Sequence, residues 1–270
     1  MLDLKTKTVG FVGGGNMAYA VAMGIVKAGL VDPGNVLVSN RSKGKLQMFS
    51  KEGIQVTQDN IEVFSKCDII VLAVKPQIFS VVISELKKRG NHINLSQKIF
   101  VSVMGSNKIE EMEEALGKGS KIVRSLPNTP CLVGAGTIMI SRGNNLTDDE
   151  YECVKVLLSS CAECFECPEK LLGPASSVMG CAPAYFFVAI ESLADGGVMH
   201  GLPRDLALKL ASRAVMGAGK LALESDKHPE QLKDAVASPG GTTIRGLYAL
   251  EKAGFRSALI DAVNATTAKS

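Results

Sequence analysis

Tryptophan is absent from this 270-residue chain, and aromatic residues make up only 5% of it. Histidine is almost as scarce, with three: His92, His200 and His228. The first two read as surface or loop positions, and His228 has no obvious carboxylate partner nearby in sequence. No Ser-His-Asp arrangement, paired-carboxylate spacing or zinc spacing stands out. Such a set of side chains suits a reaction that needs little beyond a bound cofactor and correct orientation. A dominant charge is lacking too. Lys and Arg number 30 against 27 Asp and Glu, for a net charge of +3. There is no concentrated basic stripe, so nucleic acid is not an expected partner. At 46% apolar residues the chain has material for a real core, which excludes wholesale disorder.

The seven cysteines are Cys67, Cys131, Cys153, Cys161, Cys164, Cys167 and Cys181. An odd number does not read as a secreted disulfide framework, and a reducing compartment is expected. Cys161, Cys164 and Cys167 share the spacing of part of an iron–sulfur ligand run. The run is not completed, since Pro168 follows Cys167 at once. No metal is expected here. Two stretches carry no charge, Val9 to Val26 and Leu171 to Ile190. Both approach the ~20 residues that cross a bilayer. The first is cut by Gly13-Gly14-Gly15 and reads as strand, turn and helix. The second, broken by Gly173, Pro174, Gly180 and Pro183, reads as a buried helix. No membrane association is expected.

The first half alternates short apolar runs with helical patterns. Strands are expected at 8–12, 36–39, 68–74, 99–103, 121–124 and 137–140, with a short one around Cys164 and Phe165. Helices are expected at 17–28, 43–51, 76–89, 108–116 and 148–159. This alternation predicts an α/β fold with a doubly wound, mostly parallel sheet. Beyond about residue 165 the signals are helical: 183–199, 203–224, 229–236, 242–252 and 257–265. The expected division is therefore a dinucleotide-binding domain at 1–165 and an all-helical domain at 166–270. The uncharged helix around Tyr185-Phe186-Phe187 is too apolar to face water, and a buried dimer interface accounts for it.

The strongest motif is Gly13-Gly14-Gly15-Asn16-Met17-Ala18, which follows the strand ending at Val12 and opens a helix. It fits the G-x-G-x-x-(G/A) fingerprint. Gly13 permits the tight turn, Gly15 lets backbone approach a pyrophosphate, and Ala18 lets helix and strand pack closely. Asn40-Arg41-Ser42 ends the second strand without a carboxylate to hold a ribose 2′-hydroxyl. Arg41 can pair with a 2′-phosphate and Ser42 can donate to it, with Lys43 and Lys45 adding positive field. NADPH is the expected cofactor, with NADH as the alternative. Ala73-Val74-Lys75-Pro76 ends a later strand, on the edge where ligands bind in such sheets. Asn60 is a further candidate on the adenosine side. A second constellation, Ser238-Pro239-Gly240-Gly241-Thr242-Thr243, lies between two helices. Its glycines and hydroxyls at a helix start form an anion nest for a carboxylate. Thr243 is the candidate to orient the substrate or relay a proton.

Together with Pro127-Asn128-Thr129-Pro130, Ala194-Asp195-Gly196-Gly197 and Gly201-Leu202-Pro203-Arg204, these segments resemble the pyrroline-5-carboxylate reductase family. The resemblance runs over nearly the whole chain in the right order. It implies NAD(P)H-dependent reduction of the C=N bond of 1-pyrroline-5-carboxylate to L-proline, the last step of proline biosynthesis. It also implies homodimers with interlocked helical domains, often assembled into decamers. By the family pattern Val12, Gly13 to Met17, Asn60 and Ala73 to Pro76 contact the cofactor, and Val103, Met104 and Gly105 line the nicotinamide. Glu169, Thr242 and Thr243 match substrate-side positions. Met104, Ser106, Met179, Cys181, Ala182 and Ala235 depart from the pattern. Two other readings compete: a β-hydroxyacid dehydrogenase, whose lysine motif Met216 to Lys220 mimics, and a dinucleotide-binding regulator without turnover. The cytoplasm is the expected compartment, with the mitochondrion the alternative.

Overall fold

The computed structural model describes residues 3–267. The chain divides into two compact units, the first ending at Gly180 and the second beginning at Cys181. In the first unit the strands are β1 (Val9–Val12), β2 (Val36–Ser39), β3 (Gln55–Thr57), β4 (Ile69–Leu72), β5 (Ile99–Ser102), β6 (Lys121–Pro127), β7 (Gly136–Arg142) and β8 (Ala162–Glu166). Its helices are α1 (Asn16–Lys27), α2 (Lys43–Ser50), α3 (Asn60–Lys66), α4 (Pro76–Arg89), α5 (Ile109–Leu116), α6 (Asp148–Ser159) and the short α7 (Leu172–Ala175).

The strands form one sheet in the order β3-β2-β1-β4-β5-β6-β7-β8. All neighbours run parallel except β6 and β7. β1, β2, β4 and β5 are buried on every residue, as parallel strands covered by helices on both faces must be. Val9, Phe11, Val36, Val38, Ile69 and Val71 lie in the apolar cluster on one face, with α1 and α6. Leu37, Ile70, Leu72 and Phe100 lie in the cluster on the other, with α3, α4 and α5. The chain leaves β1 toward β2 on one side and later returns through β4 on the other. The reversal opens a crevice at the carboxyl ends of β1 and β4, the place where such sheets bind ligands.

The expected alternation is observed, with two additions. β3 carries no apolar signal because it is a short edge strand with both Gln55 and Val56 exposed. α3 spans only seven residues and is started by the Asp59 side chain, which accepts the Ile61 N–H.

The break between units falls after Gly180 rather than near residue 165. β8 still belongs to the sheet, and the turns after it pack on the first unit. Leu172 is fully buried there, and the Asn128 side chain donates to the Met179 carbonyl at 3.0 Å. The stretch from Leu171 is not one buried helix. α7 passes into a π-helical turn (Ser176–Gly180), and a new helix starts beyond it, as the glycines and prolines there require.

The second unit is helical: α8 (Ala182–Met199), α9 (Arg204–Glu224), α10 (Pro229–Val236), α11 (Thr242–Lys252) and α12 (Phe255–Thr267). α8 packs on α9 through Ala194, Ala207 and Ala211, small residues that allow close approach. Phe186, Phe187 and Val188 stay exposed on the single chain. By length and composition alone the stretch Glu169–Met199 is apolar enough to cross a membrane.

Candidate active site

The turn from β1 into α1 needs glycine at one position and leaves space at another. Gly13 has φ +105°, and a Cβ there would lie 2.6 Å from the Ala73 carbonyl oxygen. The Gly13 N–H donates to the Ser39 carbonyl at 3.0 Å, and the Ala73 N–H to the Val12 carbonyl at 2.9 Å. These bonds lace the ends of β1, β2 and β4 together. Gly15 is the N-cap of α1, with no side chain capping the helix, and a Cβ there would meet nothing within 4 Å. The N–H groups of Asn16, Met17 and Ala18 therefore have no helical acceptor, and they begin where the chain has left space. An uncapped helix start behind a Cβ-free turn is an anion cradle. The residues present fit the pyrophosphate of a dinucleotide.

Asn40 has a structural part in this cradle. Its side-chain oxygen accepts the Gly14 N–H at 3.4 Å, and its amide donates to the Ser42 carbonyl at 3.1 Å. Arg41 is held only by its backbone, whose carbonyl accepts from Gln58 at 2.7 Å. The guanidinium is exposed, and among the described residues it pairs with no carboxylate. Ser42 precedes α2, and its hydroxyl does not cap that helix. Lys43 and Lys45 are exposed on the same turn, and a cavity of about 270 Å³ opens beside it between Lys43, Gln47, Thr57 and Gln58. Asn60 is drawn inward instead: its side-chain oxygen accepts from the Ser39 hydroxyl at 2.8 Å. Sequence reasoning missed Ser39, whose only signal is a hydroxyl at the end of an apolar strand.

The next two strand ends complete this edge. Ala73 and Val74 are half-buried, Lys75 is the exposed N-cap of α4, and Pro76 opens the helix. At the end of β5 the Val103 N–H donates to the Leu72 carbonyl at 3.1 Å. The Met104 N–H donates to the Ser102 hydroxyl at 3.2 Å. The Met104 side chain is 1% exposed and lies in the core with Phe100 and Met112, so as a cofactor contact it is narrowed to its backbone. Gly105 is exposed, and its carbonyl accepts from Arg124 at 2.9 Å.

In the second unit Gly240 has φ +67° and shapes the turn before α11. The Gly241 N–H is spent inside this turn, on the Ser238 carbonyl at 3.0 Å, and is corrected as an anion donor. A Cβ on Gly241 would sit 2.5 Å from the Ser238 hydroxyl oxygen, so that hydroxyl closes over the turn. α11 starts without a side-chain cap, which leaves the N–H groups of Thr242, Thr243 and Ile244 without helical acceptors. Ser238, Gly240 and Thr242 are exposed, and Thr243 is half-buried.

Comparison with known proteins adds lineage to this geometry. A family model described as pyrroline-5-carboxylate reductase dimerisation matches residues 169–270. A second, described as NADP oxidoreductase, coenzyme F420-dependent, matches residues 8–106. A pyrroline-5-carboxylate reductase of Glycine max is 38% identical over 270 residues, covering 100% of this chain and 97% of the relative. The chain belongs to the pyrroline-5-carboxylate reductase family. Among solved structures, the Plasmodium falciparum pyrroline carboxylate reductase with NADP bound is 36% identical, with a TM-score of 0.87 over 98% of this chain and 97% of that one. The Coxiella burnetii pyrroline-5-carboxylate reductase is 32% identical, with a TM-score of 0.87 over 98% of this chain and 97% of that one.

Set against the family pattern, Glu169 stands differently from expectation, and Ala235 is the departure the sequence indicated. Glu169 is committed to its own chain: one carboxylate oxygen accepts from the Arg124 guanidinium at 2.8 Å and from the Ile109 N–H at 2.8 Å. Ala235 lies exposed on α10 and contributes no polar group to the nest. Arg124 escaped the sequence reading, although an arginine in the middle of a strand, between apolar Ile122-Val123 and Leu126, was the available signal.

Proposed function

We propose that the chain is a pyrroline-5-carboxylate reductase that reduces 1-pyrroline-5-carboxylate to L-proline with NADPH. The observation that carries this reading is the pair of uncapped helix starts, one behind Gly15 and one behind Gly241, within a chain of this family. The first suits a pyrophosphate and the second a carboxylate, and a dinucleotide-dependent reduction of a small imino acid needs both.

Gly15, Asn16 and Met17 would hold the pyrophosphate through backbone donors, while Gly13 and Gly14, whose N–H groups are spent on Ser39 and Asn40, shape the turn that lets it approach. Arg41 and Ser42 take the 2′-phosphate, and the exposed guanidinium, which pairs with no carboxylate among the described residues, supports a preference for NADPH over NADH. Ala73 to Pro76 and Val103 to Gly105 form the edge that meets the nicotinamide half. Bound NADPH supplies a hydride to the imine carbon. The nest holds the substrate carboxylate through Gly240, Thr242 and Thr243, with Ser238 closing the turn. The protonated imine is electrophilic by itself, so the protein need not provide a strong acid. Thr243, half-buried at the helix start, is the residue that would orient the ring or relay a proton.

The dimerisation model over residues 169–270 supports self-association, and the exposed Phe186, Phe187 and Val188 give the partner an apolar face. Assembly of such dimers into a decamer and residence in the cytoplasm complete the reading. Seven unpaired cysteines support a reducing compartment. Against the regulator alternative, the departure at Met104 puts its side chain in the core and adds no bulk to the exposed loop surface.

The test is oxidation of NADPH at 340 nm with 1-pyrroline-5-carboxylate, with NADH run in parallel. Turnover yielding proline is expected, faster with NADPH at limiting cofactor. NADPH binding with no turnover of this imine would overturn the activity and leave the regulator.

A further inference from the structure

Arg124 sits on β6 opposite Ser102, the last residue of β5. It is 8% exposed, and its Nε is buried with no hydrogen-bond partner. Burying a guanidinium with a donor left over is costly, and sheet packing alone is served as well by an apolar residue. The two terminal nitrogens show what the arginine is for. Nη2 donates to the Gly105 carbonyl at 2.9 Å, and Nη1 donates to Glu169 at 2.8 Å. Glu169 in turn accepts the Ile109 N–H at 2.8 Å, so the carboxylate is itself fixed at the start of α5.

The loop that Arg124 grips is pinned at each residue. The Val103 N–H is held by Leu72, and the Met104 N–H by Ser102. The Met104 side chain anchors in the core. The Ser125 hydroxyl holds the Ser102 carbonyl at 2.7 Å. Gly105 has no side chain to anchor it, and its carbonyl is held by Arg124.

We propose that Arg124, braced by Glu169, is a positioning residue that sets the Val103–Gly105 loop for the nicotinamide half of the cofactor. The proposal rests on the NADPH reading above and reassigns Glu169 from substrate contact to brace. A lysine cannot replace the arginine. Two acceptors in a fork need a planar guanidinium, whereas an ammonium is a point charge on a flexible stem.

The experiment compares two ligands by calorimetric titration of the full-length protein: NADPH, and 2′,5′-ADP, which lacks the nicotinamide half. R124K should weaken NADPH by about 5- to 30-fold, less than the loss of a charge-assisted bond to the cofactor itself, because the loop is loosened and no bond to the ligand is removed. Its affinity for 2′,5′-ADP should stay within about twofold of wild type, because Arg41 and the α1 start are untouched. E169Q keeps an oxygen for Ile109 and loses the charge facing Arg124, so it should show the same selective loss, smaller in size. Unchanged NADPH affinity in R124K overturns the proposal. So does a parallel loss of both ligands, which a purely structural role would produce. Should R124K not fold, E169Q decides by the same comparison. A wild type that binds neither ligand removes the dinucleotide reading and the proposal with it. Intact NADPH binding without imine turnover removes only the proposed activity, since this comparison needs no substrate.

Discussion

Two alanine substitutions two residues apart should separate folding from cofactor binding. At Gly13 a Cβ would lie 2.6 Å from the Ala73 carbonyl oxygen and 2.8 Å from its carbon, with φ at +105°. Neither contact can yield cheaply, because both atoms are backbone at the end of a central strand. The unfavourable φ alone costs about 1–3 kcal/mol. At about 2–4 °C per kcal/mol for a unit of this size, the φ cost alone should lower the Tm of Gly13→Ala by roughly 2–12 °C, and the clash adds to it. Gly15 is the opposite case. Its φ of −87° and ψ of −176° suit any residue, and its Cβ meets nothing within 4 Å. Alanine caps a helix slightly worse than glycine but restricts the unfolded chain. These effects are each about 0.5 kcal/mol and opposed, so Tm should hold within about 2 °C.

The methyl group would instead stand where the pyrophosphate approaches. Loss of one charge-assisted bond to backbone is worth about 1.5–3 kcal/mol, or roughly 10- to 150-fold in NADPH affinity. Differential scanning fluorimetry and calorimetric titration of both variants provide the check. Wild-type NADPH affinity in Gly15→Ala would refute the cradle, and an unchanged Tm in Gly13→Ala would refute the steric argument.

Arg41→Ala should reduce the ratio of kcat/KM for NADPH over NADH by about 10- to 150-fold while leaving NADH kinetics nearly unchanged; equal losses for both cofactors would sink the 2′-phosphate assignment. Thr243→Ala should cost about 1–3 kcal/mol in kcat/KM for 1-pyrroline-5-carboxylate, with Thr243→Ser restoring most of it; steady-state kinetics with an unchanged kcat/KM would remove the role. Burial pushes the Cys67 thiol up to about 12, so it should resist iodoacetamide at pH 8 in the native protein. Because the unfolded thiol ionises first, this burial contributes stability that is full below the ordinary thiol range and lost as pH rises toward 12. Cys67→Ala should therefore flatten the fall in stability above pH ~9, measured by denaturant titration across pH.

Much of the molecule is written locally. Gly13, Gly15 and Ala18 announce the β1–α1 turn because the backbone there must adopt a positive φ, leave room and pack closely, demands that residue type alone can meet. Pro76 and Pro229 mark helix starts through their fixed φ, and continuous apolar runs such as Ile69–Leu72 mark strands covered on both faces. The family resemblance was legible for the same reason, since its motifs lie at turns and helix starts whose geometry constrains sequence. β3 and α3 were not legible, because an exposed strand of three residues and a helix of seven carry too little periodicity to register.

Tertiary structure alone decided where side chains and donors are spent. Met104 belongs to the core, the Gly241 N–H to Ser238, the Asn60 oxygen to Ser39 and the Glu169 carboxylate to Arg124. Arg124 and Glu169 are separated by 45 residues, and Ser39 and Asn60 by 21. Each pairing follows from strand order and register, which bring together chain ends that no local pattern links. Residue types along this chain thus specify which groups are available for chemistry. The packed sheet determines which of them its own backbone has already claimed, because a buried polar group must find a partner before it can serve a ligand.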